Sequence, residues 1–456
     1  MTVIVGVFVF VNTQPIQPHD FWWHIAIGRE IVTTLSIPAV DAYSFTMPGV
    51  AYPSYQMFWL ADLSLYILYQ LGGPTLVVFL QSLIITSTYS LLLWLCWKES
   101  RSWRIAAFGT LFAVGLGVNN WNVRPQTISF LIGVIYLLSI YSFRKQPKLA
   151  LIAVFPIGML IWVNSHGSFV LGLGLLAIWL GDEIWKIVIL RYKYGHFGPL
   201  NTIWMALGAF CLTLIVCLVN PRGFGIINYV LNLTSNPIVQ DLVPEWAPPS
   251  FNNLYGTVFI IALLFSAVIF AVSPKRPDFF QLMTFIGFGI LALKTTRGVI
   301  WFGLAMAPVL AYHISNTVKS EWIKVDSDKK RSGNPLLNLL MMSILIIIAV
   351  LSLPWFKHRL PFPKMKADLI SMDTPVQATK FLLEEQVPGN LFHEMGFGSY
   401  LIWAAQSEIK VFADPRIELY PREIWWDYVS VLNTLPNWQE ILEKYEINTI
   451  MINPKE

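Results

Sequence analysis

The chain has 456 residues, of which 55% are hydrophobic and only 13% are charged, against about 25% charged in soluble domains. So few charges cannot cover a water-facing surface of this size, which excludes an ordinary soluble globular protein and places much of the chain in lipid. The net charge of +4 comes from basic residues dispersed among loops, so no nucleic-acid partner is expected.

A helix needs about 20 apolar residues to cross a bilayer. Runs of this kind, in chain order, are 2–12, 74–97, 105–118, 125–143, 149–163, 168–190, 200–219, 254–272, 279–293, 298–315 and 336–353. They predict an all-α polytopic membrane protein of about 11 transmembrane helices. The first run is short for a span: a dozen residues reach roughly 18 Å against a core of about 30 Å. The 19 Trp, 17 Tyr and 30 Phe suit aromatic belts at two interfaces. The cysteines Cys96, Cys211 and Cys217 lie within apolar runs, with no pair spaced for a disulfide or metal. The start lacks the basic region and cleavage site of a secretory signal, so none is expected.

Loop charges orient the chain. One set of loops carries Lys98, Arg101, Arg104, Arg144, Lys145, Lys148, Arg191, Lys193, Lys275, Arg276, Lys319, Lys324, Lys329, Lys330 and Arg331; the alternate set carries only Arg29, Arg124, Arg222, Lys294 and Arg297. By the positive-inside rule the N-terminus is cytoplasmic and everything after 353 is outside. The chain then divides into a multi-spanning domain, 1–354, and an extracytoplasmic α/β domain, 355–456. The first external loop, 13–73, holds two stretches of helical spacing, 21–35 and 57–71, that suit interfacial helices. A second long loop, 220–253, is rich in Pro and Asn. In the tail, 376–385, 399–405, 422–432 and 438–445 read as helices, and 389–393, 409–413 and 447–452 as strands of a small parallel sheet. The chain stops four residues after the last of these, which leaves open that the domain is incomplete.

The densest polar constellation is Pro18-His19-Asp20-Phe21-Trp22-Trp23-His24. An acid where the chain leaves the membrane stands between a lipid-borne substrate and water and can take a proton there; Asp20 equally suits the N-cap of the helix that follows. Asp41 is a second loop acid, with a turn role beside Pro38 as the alternative. Glu245 is a third external acid, with a solvated loop charge as its alternative. Arg124, Arg222, Lys294 and Arg297 lie beside apolar runs in compact polar turns. Guanidinium forks match phosphate oxygens, and the set reads as an anion site, although each alone can snorkel. His166, in Asn164-Ser165-His166-Gly167-Ser168, reads as a phosphate ligand or acid, or as a hydrogen-bonded helix end. Asp182 and Glu183 have Lys186 one turn away, which favours a structural role.

An acid after the first span, a large first loop with interfacial helices, many spans and an external C-terminal α/β domain together resemble the GT-C glycosyltransferases. Within that superfamily the chain is most similar to bacterial relatives of protein O-mannosyltransferases and of the aminoarabinose transferases of lipid A. The resemblance is carried by Asp20 to Gly28, Ile37-Pro38 through Asp41, Trp59-Leu60, Asn164 to Phe169, Asn220-Pro221-Arg222-Gly223 and Val411 to Arg416. Phe21 stands where the mannosyltransferases usually carry a glutamate after the aspartate. The resemblance implies a sugar donor on a polyprenyl phosphate, an extracytoplasmic acceptor (glycan, lipid or protein) and a membrane-lipid environment. It also implies inversion, with Asp20 as base, Asp41 and Glu245 as further acids, and His24, Arg124, His166, Arg222, Lys294 and Arg297 as substrate-binding residues. It leaves room for a divalent metal at Asp20, although no clustered ligand set accompanies it. No other cofactor is implied. A non-catalytic scaffold or lipid-binding subunit has the same sequence features. A transporter fits less well, for want of internal repeats.

Overall fold

The computed structural model describes residues 1–194, 200–318, 334–357 and 368–453. The basic cluster expected at 319–331 lies outside the described residues. All eleven predicted apolar runs are helical: α1 (Thr2–Asn12), the second half of α3 (Ser54–Ser100), α4 (Trp103–Gly117), α5 (Gln126–Lys145), α6 (Ala150–Trp162), α7 (Phe169–Tyr194), α8 (Asn201–Val216), α11 (Leu254–Val272), α12 (Phe279–Lys294), α13 (Gly298–Thr317) and α14 (Pro335–Leu351). Between α8 and α11 the Pro- and Asn-rich loop carries two short helices, α9 (Gly225–Thr234) and α10 (Pro237–Leu242).

Among the described residues, five helices are long and apolar enough to cross a bilayer: α3, α5, α8 with its 3₁₀ extension to Val219, α11 and α13. Helices α1, α6, α12 and α14 are apolar but shorter. Burial separates their roles. Helix α13 is buried on nearly every face, and its Trp301 stacks on Trp162 at 5.7 Å. Helix α14 buries none of its side chains although it is apolar all round, the pattern of a helix solvated by hydrocarbon.

The first loop folds against this bundle. Helix α2 (Phe21–Thr34) packs on the first half of α3, and Gly28 permits the approach: a Cβ there would lie 2.2 Å from the Asp62 carbonyl oxygen. The two helical stretches expected at 57–71 and 74–97 join into α3, broken at Gly72 and Gly73 ahead of Pro74. Gly73 sits at φ +58°, a left-handed conformation that glycine adopts without a Cβ clash. The loop half and the bundle half of α3 meet at this kink.

The tail contains α15 (Val376–Glu384), β1 (Asn390–His393), α16 (Met395–Ala404), α17 (Arg422–Leu432), α18 (Trp438–Lys444) and β2 (Ile447–Met451). The two strands pair in parallel. The strand expected at 409–413 does not join them. Its backbone partners come from the first loop instead: Val411 N donates to Tyr43 O at 3.0 Å and Phe45 N donates to Val411 O at 3.2 Å. Loop and tail share one apolar core, in which Trp23, Tyr43, Tyr52 and Tyr55 meet Leu391, Phe392, Phe412 and Trp425. Full burial of such side chains is worth about 1.5–3 kcal/mol each, enough to hold the tail on the loop.

Candidate functional site

Where α2, the start of α5, the 237–246 segment, the start of α13 and the tail converge, they enclose a cavity of about 510 Å³, the size of a small-molecule site. Its lining includes Asp20, His24, Arg124, His166, Glu245, Arg297 and Glu418, among aromatic side chains that include Trp23, Tyr52, Phe58 and Trp246.

Four of these side chains form a chain of alternating charge. Arg124 Nε meets Asp20 Oδ2 at 2.8 Å, and its Nη1 donates to both oxygens of Glu245, at 2.8 and 2.9 Å. Arg297 Nε donates to Glu245 Oε2 at 2.9 Å, and its guanidinium lies 5.1 Å from the centre of the Trp246 ring. The backbone fixes the arrangement: Arg297 N donates to Glu245 O at 3.0 Å and Thr296 N to Ala247 O at 2.9 Å. Asp20 occupies the position before α2 but makes no side-chain cap bond; its carboxylate goes to Arg124 instead. Burial opposes the charge on Glu245, yet the two guanidinium groups outweigh it and hold the carboxyl at about 2. Burial likewise opposes the charge on Arg124, and Asp20 and Glu245 overcome it and raise its affinity for the proton.

The histidines differ. Burial, then the nearby arginines Arg297 and Arg124, push His166 down to about 3, so its ring is neutral. Its Nδ1 accepts the Ser168 backbone N–H at 3.1 Å, which places the proton on Nε2. His24 is 3% exposed and its Nδ1 lies 2.6 Å from Asp62 Oδ1. Burial, His166 and Arg124 hold it well below the usual histidine range.

The structure does not bring every expected residue here. Asp41 is 1% exposed and does not line the cavity. It accepts from Ser44 N at 2.9 Å and pairs with Arg416 Nη1 at 2.5 Å, a turn acid locked between loop and tail. Arg222 donates to Gln56 Oε1 at 3.1 Å, and its neighbour Asn220 donates to the backbone of Gln56 and Val163 at 3.0 Å each. This motif therefore staples α3 to the α6 end. Lys294 is exposed in the last turn of α12. Asp182 and Glu183 are both held by Lys186 at 2.7 Å.

Two acids at the site escaped the reading of the sequence. Asp62 sits in an apolar helical stretch where its only signal is an acid on a packed face. Glu418, between Arg416 and Tyr420, reaches the cavity only because the tail folds onto the loop. Among the described residues no three His, Cys, Asp or Glu side chains gather as metal ligands, and the Asp20 and Glu245 carboxylates are engaged by arginine. The donor set does not fit a divalent ion.

The bundle of apolar helices, with the first loop and the tail packed together beside it, has a counterpart in fold among solved structures. The chain is similar in fold to the archaeal oligosaccharyltransferase AglB from Archaeoglobus fulgidus, a structure in complex with an inhibitory peptide and a dolichol-phosphate, with TM-score 0.52 and 11% identity over 98% of this chain and 68% of that one. A second Archaeoglobus fulgidus oligosaccharyltransferase structure, a complex with Zn and sulfate, aligns at TM-score 0.44 and 12% identity over 90% and 62% of the two chains. No family model matches the sequence, and no curated protein does.

Proposed function

We propose that this chain is a membrane glycosyltransferase that moves a sugar from a polyprenyl-phosphate donor to an extracytoplasmic acceptor in the 510 Å³ cavity. The observation that carries this reading is the Asp20–Arg124–Glu245–Arg297 chain on the cavity wall, joined to a fold similar to an oligosaccharyltransferase.

The residues divide the chemistry. The donor phosphate would take guanidinium bonds from Arg124 and Arg297 in place of part of Glu245's hold, with the His166 Nε2–H as a neutral donor beside them. As the acceptor oxygen or nitrogen attacks the anomeric carbon, the bond from that carbon to the phosphate oxygen breaks. The phosphate leaves with the electron pair, and the acceptor's proton passes to Asp20, released from Arg124 as the phosphate engages it. Attack opposite the leaving group inverts the sugar. Asp20→Asn should lower transfer by about 10²–10⁴-fold with the thermal unfolding midpoint unchanged. Wild-type turnover in that variant would remove Asp20 from the mechanism.

The same reading puts the eleven apolar helices in the bilayer and the first loop outside. In intact cells, an impermeant thiol reagent should label Ser36→Cys, at an exposed site after α2, and labelling only after permeabilisation would reverse the orientation.

A further inference from the structure

Helix α2 and the loop half of α3, ahead of the Gly72-Gly73 kink, pack closely enough to seal an acid between them. With no Cβ at Gly28, the helices approach until His24, one turn earlier on the same face of α2, reaches Asp62. Asp62 is 0% exposed, and among the described residues its carboxyl has one hydrogen-bond partner, His24 Nδ1 at 2.6 Å. Its Oδ2 is sealed from solvent with no partner there. The Nε2 edge of His24 also has no partner among the described residues, but it is not sealed, and His24 lines the cavity. The ring is held between Trp23, at 3.6 Å, and the edge of Phe58, at 5.0 Å; Phe58 in turn lies 5.8 Å from the ring of His166.

A carboxyl and an imidazole in hydrogen-bond contact share one proton, and their surroundings decide which group owns it. A buried carboxylate needs a paired cation and donors for its remaining lone pairs. Here Oδ2 has no donor. Burial, His166 and Arg124 all disfavour the imidazolium that would supply the cation, and burial pushes the Asp62 carboxyl well above the usual carboxylate range. A neutral acid then donates from Oδ1 to Nδ1, and the imidazole keeps its own proton on Nε2. His166 carries its proton on Nε2 as well. Two uncharged N–H donors therefore flank Phe58 in the cavity that Arg124 and Arg297 also line.

We propose that Asp62 is a positioning residue: it stays an uncharged acid, donates to His24 Nδ1, and so commits His24 to offer Nε2–H to an oxygen of a phosphate bound at Arg124 and Arg297. The inference rests on the cavity being a phosphate site, and it adds a residue that touches no ligand itself. Neutral donors suit this place, because the phosphate gains hydrogen bonds without a third cation having to be desolvated. The other state of the pair, a carboxylate accepting from Nδ1–H, would turn the bare Nε2 lone pair toward the phosphate oxygens and repel them.

The tautomer is read by solid-state NMR on the full-length protein in lipid bilayers, with nitrogen-15 histidine and no ligand; the His24 signals are those that vanish in His24→Gln. At neutral pH Nε2 should carry a proton and Nδ1 none. A proton on Nδ1, alone or together with one on Nε2, would overturn the proposal. The second reading is calorimetric binding of farnesyl phosphate to the protein in detergent micelles. Asp62→Leu removes the donor and should weaken affinity about tenfold, a difference of about 1.4 kcal/mol. Asp62→Asn, whose amide N–H can donate to Nδ1 in place of the acid, should restore it. Lost affinity in a folded Asp62→Asn protein, or undiminished affinity in Asp62→Leu, would overturn the proposal; if Asp62→Leu does not fold, the tautomer and Asp62→Asn still decide. Wild-type protein that binds no farnesyl phosphate would remove the phosphate site and this inference with it, whereas affinity lost in Asp62→Asn removes the inference alone.

Discussion

Two clusters in this molecule use the same parts, an arginine held between two acids, and differ in where they sit. In the interface between loop and tail, Arg416 is 1% exposed and bonds Asp41 and Asp414, with Tyr55 and Tyr420 completing the shell. On the cavity wall, Arg124 bonds Asp20 and Glu245 with all three side chains 16–29% exposed. The buried cluster has every charge met by protein and no face left for a ligand. In the open one, a ligand can exchange with a protein partner at small cost, because water and a second arginine remain to serve the displaced carboxylate. The residue types of the two clusters are the same; on the proposed function, access is what separates a structural ion pair from a working one.

The largest effect should come from breaking the closed cluster. Arg416→Met leaves two buried carboxylates without their partner and should cost about 3–5 kcal/mol of stability, read as a lowered thermal unfolding midpoint in detergent. An unchanged midpoint would show that the interface between loop and tail does not depend on it. Opening the other cluster should act on function instead. Arg124→Ala and Arg297→Ala should each reduce transfer by about 10²–10³-fold, as removal of a transition-state donor does, while lowering the midpoint less than Arg416→Met. Equal loss of stability in all three would show that both clusters serve the fold in the same way.

The smallest effect is a pH dependence. Glu245 is held at about 2 in the folded protein against an ordinary value of 4.5, so its ion pairs contribute stability that is fully present above 4.5 and is lost as pH falls through about 2. The stability gap between wild type and Glu245→Gln should therefore be constant near neutrality and shrink below pH 4.5. A gap that does not change with pH would mean that Glu245 contributes through packing and not through charge.

Much of this was legible in the chain. The apolar runs became helices because a helix meets its own backbone hydrogen bonds where apolar surroundings offer no other partner, and the Gly72-Gly73-Pro74 break ends the loop half of α3 where the glycines permit it. Asp20, Glu245, Arg124, Arg297, His24 and His166 stood out as polar residues beside apolar runs, and all line the cavity. Asp41, Arg222 and Lys294 carried the same local signal but lie elsewhere. Asp62 and Glu418 carried almost none. A local signal records that a charge needs a partner; it does not name the partner.

What the sequence determined by itself was the solvent: period, length and charge spacing set which segments are helical and which are apolar enough for lipid. What only the tertiary structure decided was pairing across distances of 100 to 375 residues, such as Arg124 with Glu245 and Asp41 with Arg416. Hydrophobic burial is non-directional and can be read one segment at a time. Ion pairs and hydrogen bonds are directional, so they exist only once the fold has put both ends in place.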